Sequence, residues 1–188
     1  MLNLPFLLIV VIMVKLEPFG KENYADLLSW VDSEETLMQF AGPAFTFPLT
    51  AEQLDLSLRD QNRTAFRVVL QATNTTIGHA EVYLKEHSAH IGRVLIGDQQ
   101  FRGKGLGQQI IKLLLDFTFS HLNRSTVELN VFDWNISAIK CYEKCGFTIN
   151  PDKKFERQVN GKTWTGSNMQ ITQLHYQAIF PSPDHDIM

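Results

Sequence analysis

Apolar and polar residues alternate along this chain in two clear rhythms. Val14 to Phe19 reads as a first strand ended by Pro18 and Gly20, and Lys21 to Val31 carries Tyr24, Leu27, Leu28 and Val31 at helical spacing. Ser33 ahead of Glu34 and Glu35 reads as an N-cap with an acidic first turn, and Thr50 with Gln53 as a capping box for a helix over 51–60. The apolar loop 41–48 between them is expected to tuck aromatic anchors onto the core or to wall a substrate pocket.

Strand patterns follow over 66–72, 77–84 and 90–96, with turns near Asn74-Thr75 and Glu86 to Ser88, so an antiparallel meander is predicted. From Gln108 the rhythm turns helical, from Thr126 to Val131 it alternates again, and from Asn135 to Cys145 it returns to helix, closed by Gly146. Strand, helix, strand, helix predicts a parallel crossover. Phe147 opens a further strand, Asn160-Gly161 marks a two-residue hairpin between 155–159 and 162–165, and 169–172 is a last strand. A single domain over 14–175 is expected, with a tail over 176–188.

With 188 residues, 44% of them hydrophobic, the chain suffices for one well-buried core. Its formal net charge of −3, without long like-charge runs, argues against a nucleic-acid partner. Cys141 and Cys145 lack metal-pair or redox spacing and read as reduced thiols of a cytoplasmic protein. The apolar run 4–14 is too short to span a bilayer, which takes about 20 residues, and lacks the charged start of a signal peptide. Stable membrane insertion is therefore not expected. Residues 1–13 are expected to be an apolar extension, with Met13 as the natural start, or else an exposed strand offering a dimer or membrane contact.

The candidate chemistry centres on Gln99-Gln100-Phe101-Arg102-Gly103-Lys104-Gly105-Leu106-Gly107, which runs directly into a helical pattern. A glycine-rich turn at a helix start aims unpaired N–H groups, backed by the helix dipole, at an anion. A nucleotide P-loop requires GxxxxGK and a following hydroxyl, which this stretch lacks. A dinucleotide fold requires G-x-G-x-x-G in an all-parallel sheet, whereas these glycines are spaced two and two after an antiparallel meander. A diphosphate on some other carrier remains.

Arg102-x-x-Gly105-x-Gly107 and the segment Asn135-x-x-Ala138-Ile139-x-x-Tyr142-Glu143-Lys144-x-Gly146-Phe147 together resemble the two signatures of the GNAT superfamily of N-acetyltransferases. Within it the chain looks most like the branch of ribosomal-protein N-terminal and spermidine acetyltransferases. The resemblance implies an α/β fold of the α+β type, with a mixed, mostly antiparallel sheet of about six to seven strands flanked by about four helices. It implies acetyl-CoA as cosubstrate and no metal. The implied acceptor is a primary amine: a protein N-terminus, a polyamine or another small amine. By resemblance, N–H groups of Arg102, Gly103, Lys104, Gly105, Leu106 and Gly107 hold the pyrophosphate. Leu95, Ile96 and Gly97 pair with the pantetheine arm, and Asn130 and Asn135 complete the cofactor site. A homodimer fits the same picture.

An alkyl amine, of pKa about 10.4, is more than about 99% protonated at pH 7 and must lose a proton before it attacks a thioester. The leaving thiolate, of pKa about 8.5, needs a proton donor, and the family motif offers the phenol of Tyr142. For the base, many relatives place a carboxylate on the strand before the loop, yet 88–97 contains none. Glu81, in Gly78-His79-Ala80-Glu81, resembles a similarly placed glutamate of the spermidine branch and is the best alternative, ahead of Asp98, Glu128 and Asp133. His79 and His90 read as structural, and His87 with His90 lacks the further ligands of a metal site. The rival to an enzyme is a catalytically silent acyl-CoA-binding sensor or interaction module.

Overall fold

In the computed structural model, which describes residues 13–181, one seven-stranded sheet separates two helical layers. Its strands are β1 (Val14–Pro18), β2 (Arg63–Leu70), β3 (Thr76–Leu84), β4 (Ala89–Ile96), β5 (Thr126–Phe132), β6 (Thr148–Val159) and β7 (Lys162–Thr172). They lie in the order β1-β2-β3-β4-β5-β7-β6. Every neighbouring pair is antiparallel except β4 and β5, the parallel crossover expected from the sequence. No helix among the described residues is long and apolar enough to cross a membrane. The apolar run 4–12 lies outside the described residues.

On one face the sheet packs against α4 (Leu106–His121). Ile110, Ile111, Leu114 and Leu115 recur at helical spacing and are wholly buried against Val68, Ala80, Val82, Ile91 and Leu129. Each such side chain contributes about 1.5–3 kcal/mol relative to exposure. The helix start, and with it the glycine loop, thereby rests on the most firmly packed part of the molecule.

The other face is covered by α1 (Tyr24–Trp30), α2 (Glu34–Ala41) and α3 (Ala51–Leu58), whose Leu27, Leu37, Phe40 and Leu54 make a second, smaller cluster. Ser33 caps α2 by accepting from the Thr36 N–H at 3.1 Å, and Thr50 caps α3 by accepting from the Gln53 N–H at 3.3 Å. Gln53 does not return the bond as a capping box would: its amide binds the backbone of Thr46 and Pro48, holding the preceding loop.

Three local outcomes depart from the expectation. The sheet is flanked by six helices, not about four, since α5 (Ile136–Lys144) is followed by α6 (Gln173–Ile179). Thr172 caps α6, and buried Tyr176 anchors it by donating to Asp116 at 2.9 Å, so helix crosses the expected boundary at 175. The expected hairpin turn at Asn160-Gly161 forms, with both residues at positive φ (48° and 74°) as a type I′ turn requires, but the strand from Phe147 runs on into 155–159 as β6 and 162–165 runs on into 169–172 as β7.

Candidate active site

Parallel pairing of β4 with β5 lasts for only two positions, Ala89 with Val127 and His90 with Glu128. Beyond them the strands part. On β3 the step from Glu81 to His79 spans two residues, while on β4 the matching step from Gly92 to Leu95 spans three, so β4 carries a bulge. Arg93 sits in it with φ +51°, a conformation seldom adopted by a residue with a side chain. Its guanidinium donates to Glu81 at 3.1 Å and to Ser57 at 2.8 Å, and lies 4.1 Å from the centre of the Phe45 ring.

The parted edges of β4 and β5 enclose a cleft of about 890 Å³. Val94, Leu95 and Ile96 line one wall and Leu129 to Phe132 the other, with the glycine loop at the C-terminal end of β4 and α5 alongside. Two facing strand edges with unpaired backbone groups form a natural slot for an extended chain bearing amides.

The glycine loop meets the requirement of an anion cradle. Gly103 and Gly105 adopt φ +74° and +76°, and a Cβ added at either would meet no protein atom within 4 Å. These residues are therefore glycine for backbone reasons and because the loop must stay open toward a ligand. Gly105 is the N-cap of α4, and the N–H groups that follow it open the helix. A Cβ on Gly107 would stand 3.2 Å from the Cys141 sulfur, which sets how closely α4 and α5 approach.

Arg102, Gly103, Gly105, Gly107, Leu95, Ile96, Asn130, Asn135 and Tyr142 all line the cleft. Others named from the sequence do not. Gly97 donates its N–H to Ile77 at 2.9 Å and packs on Trp30, on the β3 side of the strand. Leu106 sends its side chain into the core, and Lys104 lies over the Phe101 ring. Arg102 turns back on β4, donating to the carbonyls of Ile96 at 3.0 Å and Gly97 at 3.2 Å, so its side chain braces the loop. The side-chain oxygen of Asn135 caps α5 by accepting from Ala138, and that of Asn130 accepts from Asn168. Each asparagine keeps its amide N–H₂ as a donor.

Tyr142 is half-buried on α5, and burial pushes its phenol above the ordinary tyrosine range. It remains protonated at neutral pH and suits a proton donor to a leaving thiolate.

Glu81 requires a correction. It is 3% exposed and absent from the cleft lining, and its carboxylate binds Arg63, Arg93 at 3.1 Å and His79 at 3.0 Å. Burial alone would raise its pKa, but His79, Arg93 and Arg63 together outweigh it and hold the group at about 2. A carboxylate so held is a very weak base. Its geometry is that of a positioning residue, which fixes the Arg93 bulge and with it the mouth of the cleft. The other carboxylates considered also have partners: Glu128 binds Lys85 and Lys153, Asp133 accepts from Ser167, and Asp98 caps a short turn through the Gln100 N–H.

Several cleft residues escaped the sequence reading. Val94 was hidden by the bulge, which shifts the alternation of β4. Lys140 and Lys144 both line the cleft one helical turn apart on α5, a spacing legible as a basic stripe. Arg63, Phe155 and Arg157 reach it from β2 and β6, distant strands that no local pattern brings together.

Comparison with known proteins adds a further finding. Residues 14–148 match the family model described as acetyltransferase (GNAT) domain. A spermidine N(1)-acetyltransferase of Escherichia coli strain K12 is 26% identical over 178 residues, covering 93% of this chain and 94% of that protein. An N-acetyltransferase 9-like protein of Nematostella vectensis is 22% identical over 179 residues, covering 86% and 89%. The structure of spermidine N-acetyltransferase from Vibrio cholerae in complex with CoA and spermine has the same fold, with a TM-score of 0.72 at 22% identity over 87% of this chain and 98% of that one.

Proposed function

This chain belongs to the GNAT acetyltransferase family, which makes it an acetyl-CoA-dependent N-acetyltransferase, and we propose that the acetyl group passes to a primary amine by direct attack with both substrates bound. The observation that carries this reading is the cleft between the parted strands β4 and β5, with the open glycine loop at one end and a protonated tyrosine in its wall.

The chain's residues divide the work. Backbone N–H groups of 102–107 at the start of α4 face the pyrophosphate, Lys140 and Lys144 add positive charge, and the amides of Asn130 and Asn135 bind polar groups of the arm. Leu95, Ile96 and Val94 offer strand backbone to the pantetheine amides. Acetyl-CoA supplies the thioester carbonyl. The neutral amine reaches the carbonyl from the side of Arg63, Tyr83 and His90, the C–N bond forms as the C–S bond breaks, Tyr142 donates its proton to the departing sulfur, and the proton shed by the nitrogen passes to solvent, from which the phenol is reprotonated. Names of the relatives put polyamines among the acceptors to be tested, alongside peptide amino termini and other small amines.

The test is thiol release from acetyl-CoA across an amine panel, with wild type and Tyr142→Phe side by side. Wild type is expected to release thiol with at least one amine. Tyr142→Phe should lower kcat about a hundredfold with acetyl-CoA affinity unchanged. Unchanged turnover in the variant would remove Tyr142 from the mechanism. Binding of acetyl-CoA without thiol release for any amine would favour the silent sensor.

A further inference from the structure

The wall that β5 gives the cleft has a single polar side chain. Of its lining residues Leu129, Asn130, Val131 and Phe132, only Asn130 carries a polar group beyond the backbone. An asparagine amide has two unlike ends, an oxygen that accepts and an N–H₂ that donates. What this wall can bind therefore depends on which end faces the cleft.

That choice is made on β7, outside the cleft. Asn168 stands directly opposite Asn130 in the antiparallel register, and such pairs share one face of the sheet with Cβ atoms about 4.5–5.5 Å apart. Asn168 is 5% exposed, and its amide nitrogen donates to the Leu129 backbone carbonyl at 3.1 Å and to Asn130 Oδ1 at 3.0 Å. Because a carbonyl only accepts, Leu129 determines which end of the Asn168 amide is turned to β5. The second proton of that amide then meets the Asn130 oxygen. Turning Asn130 over would set N–H₂ against N–H₂. Its oxygen is thus held toward β7, and its N–H₂ is left on the cleft side.

This arrangement leaves a buried atom unsatisfied. Asn168 Oδ1 has no hydrogen-bond partner, whereas the large majority of buried side-chain polar atoms have one. Asn150, opposite Asn168 on β6, gives its own amide to Gln170 at 3.5 Å. A leucine would occupy nearly the same space without an orphaned oxygen, so packing alone does not account for an asparagine at 168. The two bonds it donates to β5 do.

Resting on the transfer reading above, we propose that Asn168 is a positioning residue for the cosubstrate: it holds Asn130 as a fixed donor to a carbonyl of the acyl-pantetheine arm. Asn130 lies two residues past the last parallel pair, His90 with Glu128, where β4 and β5 begin to part, and the glycine loop lies beyond the far end of β4. An amide or thioester carbonyl accepts from a lone N–H₂ in such a wall. A protonated amine brings only donors and finds no acceptor on it.

The test is calorimetry on wild type, Asn168→Leu, Asn130→Ala and the double variant. Three ligands are titrated: acetyl-CoA, CoA, and phosphoadenosine diphosphate, the nucleotide half of CoA, which keeps the pyrophosphate and lacks the arm. Asn168→Leu should weaken acetyl-CoA binding about three- to tenfold and leave the nucleotide half unchanged. Asn130→Ala should weaken it at least as much, and adding Asn168→Leu to Asn130→Ala should cost nothing further, since Asn168 acts through Asn130. A loss confined to acetyl-CoA assigns the thioester carbonyl, and an equal loss with CoA assigns an amide carbonyl. In thiol-release assays the loss should fall on KM for acetyl-CoA, with KM for the amine unmoved. Circular dichroism checks folding; if Asn168→Leu does not fold, Asn168→Ser, shorter and without the amide, carries the same expectation. Unchanged acetyl-CoA affinity in a folded Asn168 variant, additive losses in the double variant, or parallel weakening of the nucleotide half overturns the inference and leaves acetyl transfer intact. Wild type that binds none of the three ligands overturns the cosubstrate reading itself.

Discussion

Replacing Glu81 with Gln would test whether this residue is a base or a brace. The change keeps the side chain's shape and removes its charge, leaving Arg63 and Arg93 in a buried site without their counter-ion. Removing one partner of a buried ion pair costs about 3–5 kcal/mol. For a chain of this length about 1 kcal/mol moves Tm by roughly 2–4 °C, so a fall of about 6–20 °C is expected in thermal unfolding followed by circular dichroism. Because the folded pKa is depressed, the stabilisation is fully present above about 4.5 and is lost as pH falls toward about 2. Wild type and variant should therefore converge in acid. At a temperature where both are folded, the pH profile of kcat/KM should keep its shape. A Tm shift under about 3 °C combined with a lost acidic limb in that profile would refute the reasoning and return Glu81 to the role of base.

Other expectations follow from single groups. His90 has a folded pKa of about 4 against an ordinary 6.5, so protonation favours the unfolded chain and stability should fall as pH drops from 6.5 toward 4; urea titrations of His90→Gln should show a flatter slope in that window, and an identical slope would contradict the assignment. Lys140→Gln with Lys144→Gln should weaken acetyl-CoA binding about three- to tenfold and reduce its salt dependence, measured by calorimetry at two ionic strengths. Tyr176→Phe removes the bond to Asp116 and should cost about 1.5–3 kcal/mol in denaturant unfolding; an unchanged midpoint would mean that α6 is held by apolar packing alone.

Much of the molecule was legible because its patterns are local. Ile110, Ile111, Leu114 and Leu115 announce α4 by spacing alone, Asn160-Gly161 announces its turn, and the glycine loop announces an anion site before any fold is known. The features that escaped depend on distant partners. The bulge at Arg93 has no signature of its own, since its positive φ is imposed by Glu81, Ser57 and Phe45 from three other elements. Glu81 stands as the candidate base only by its resemblance to a similarly placed glutamate of the spermidine branch, and that resemblance does not reveal the cations that await its side chain. The helix over 173–179 was missed because its anchoring bond joins Tyr176 to Asp116, 60 residues earlier.

We propose that the open glycine loop at the start of α4 seats the pyrophosphate of acetyl-CoA. It is tested most directly by titrating acetyl-CoA, with ATP as control, into wild type and Gly105→Val by calorimetry. Valine at φ +76° strains the backbone by about 1–2 kcal/mol and projects its side chain into the open cradle. Wild type is expected to bind acetyl-CoA without comparable ATP binding, and a variant whose circular dichroism shows it folded is expected to bind acetyl-CoA at least about tenfold more weakly. Equal acetyl-CoA affinity in the folded variant, or a preference for ATP in wild type, would contradict it.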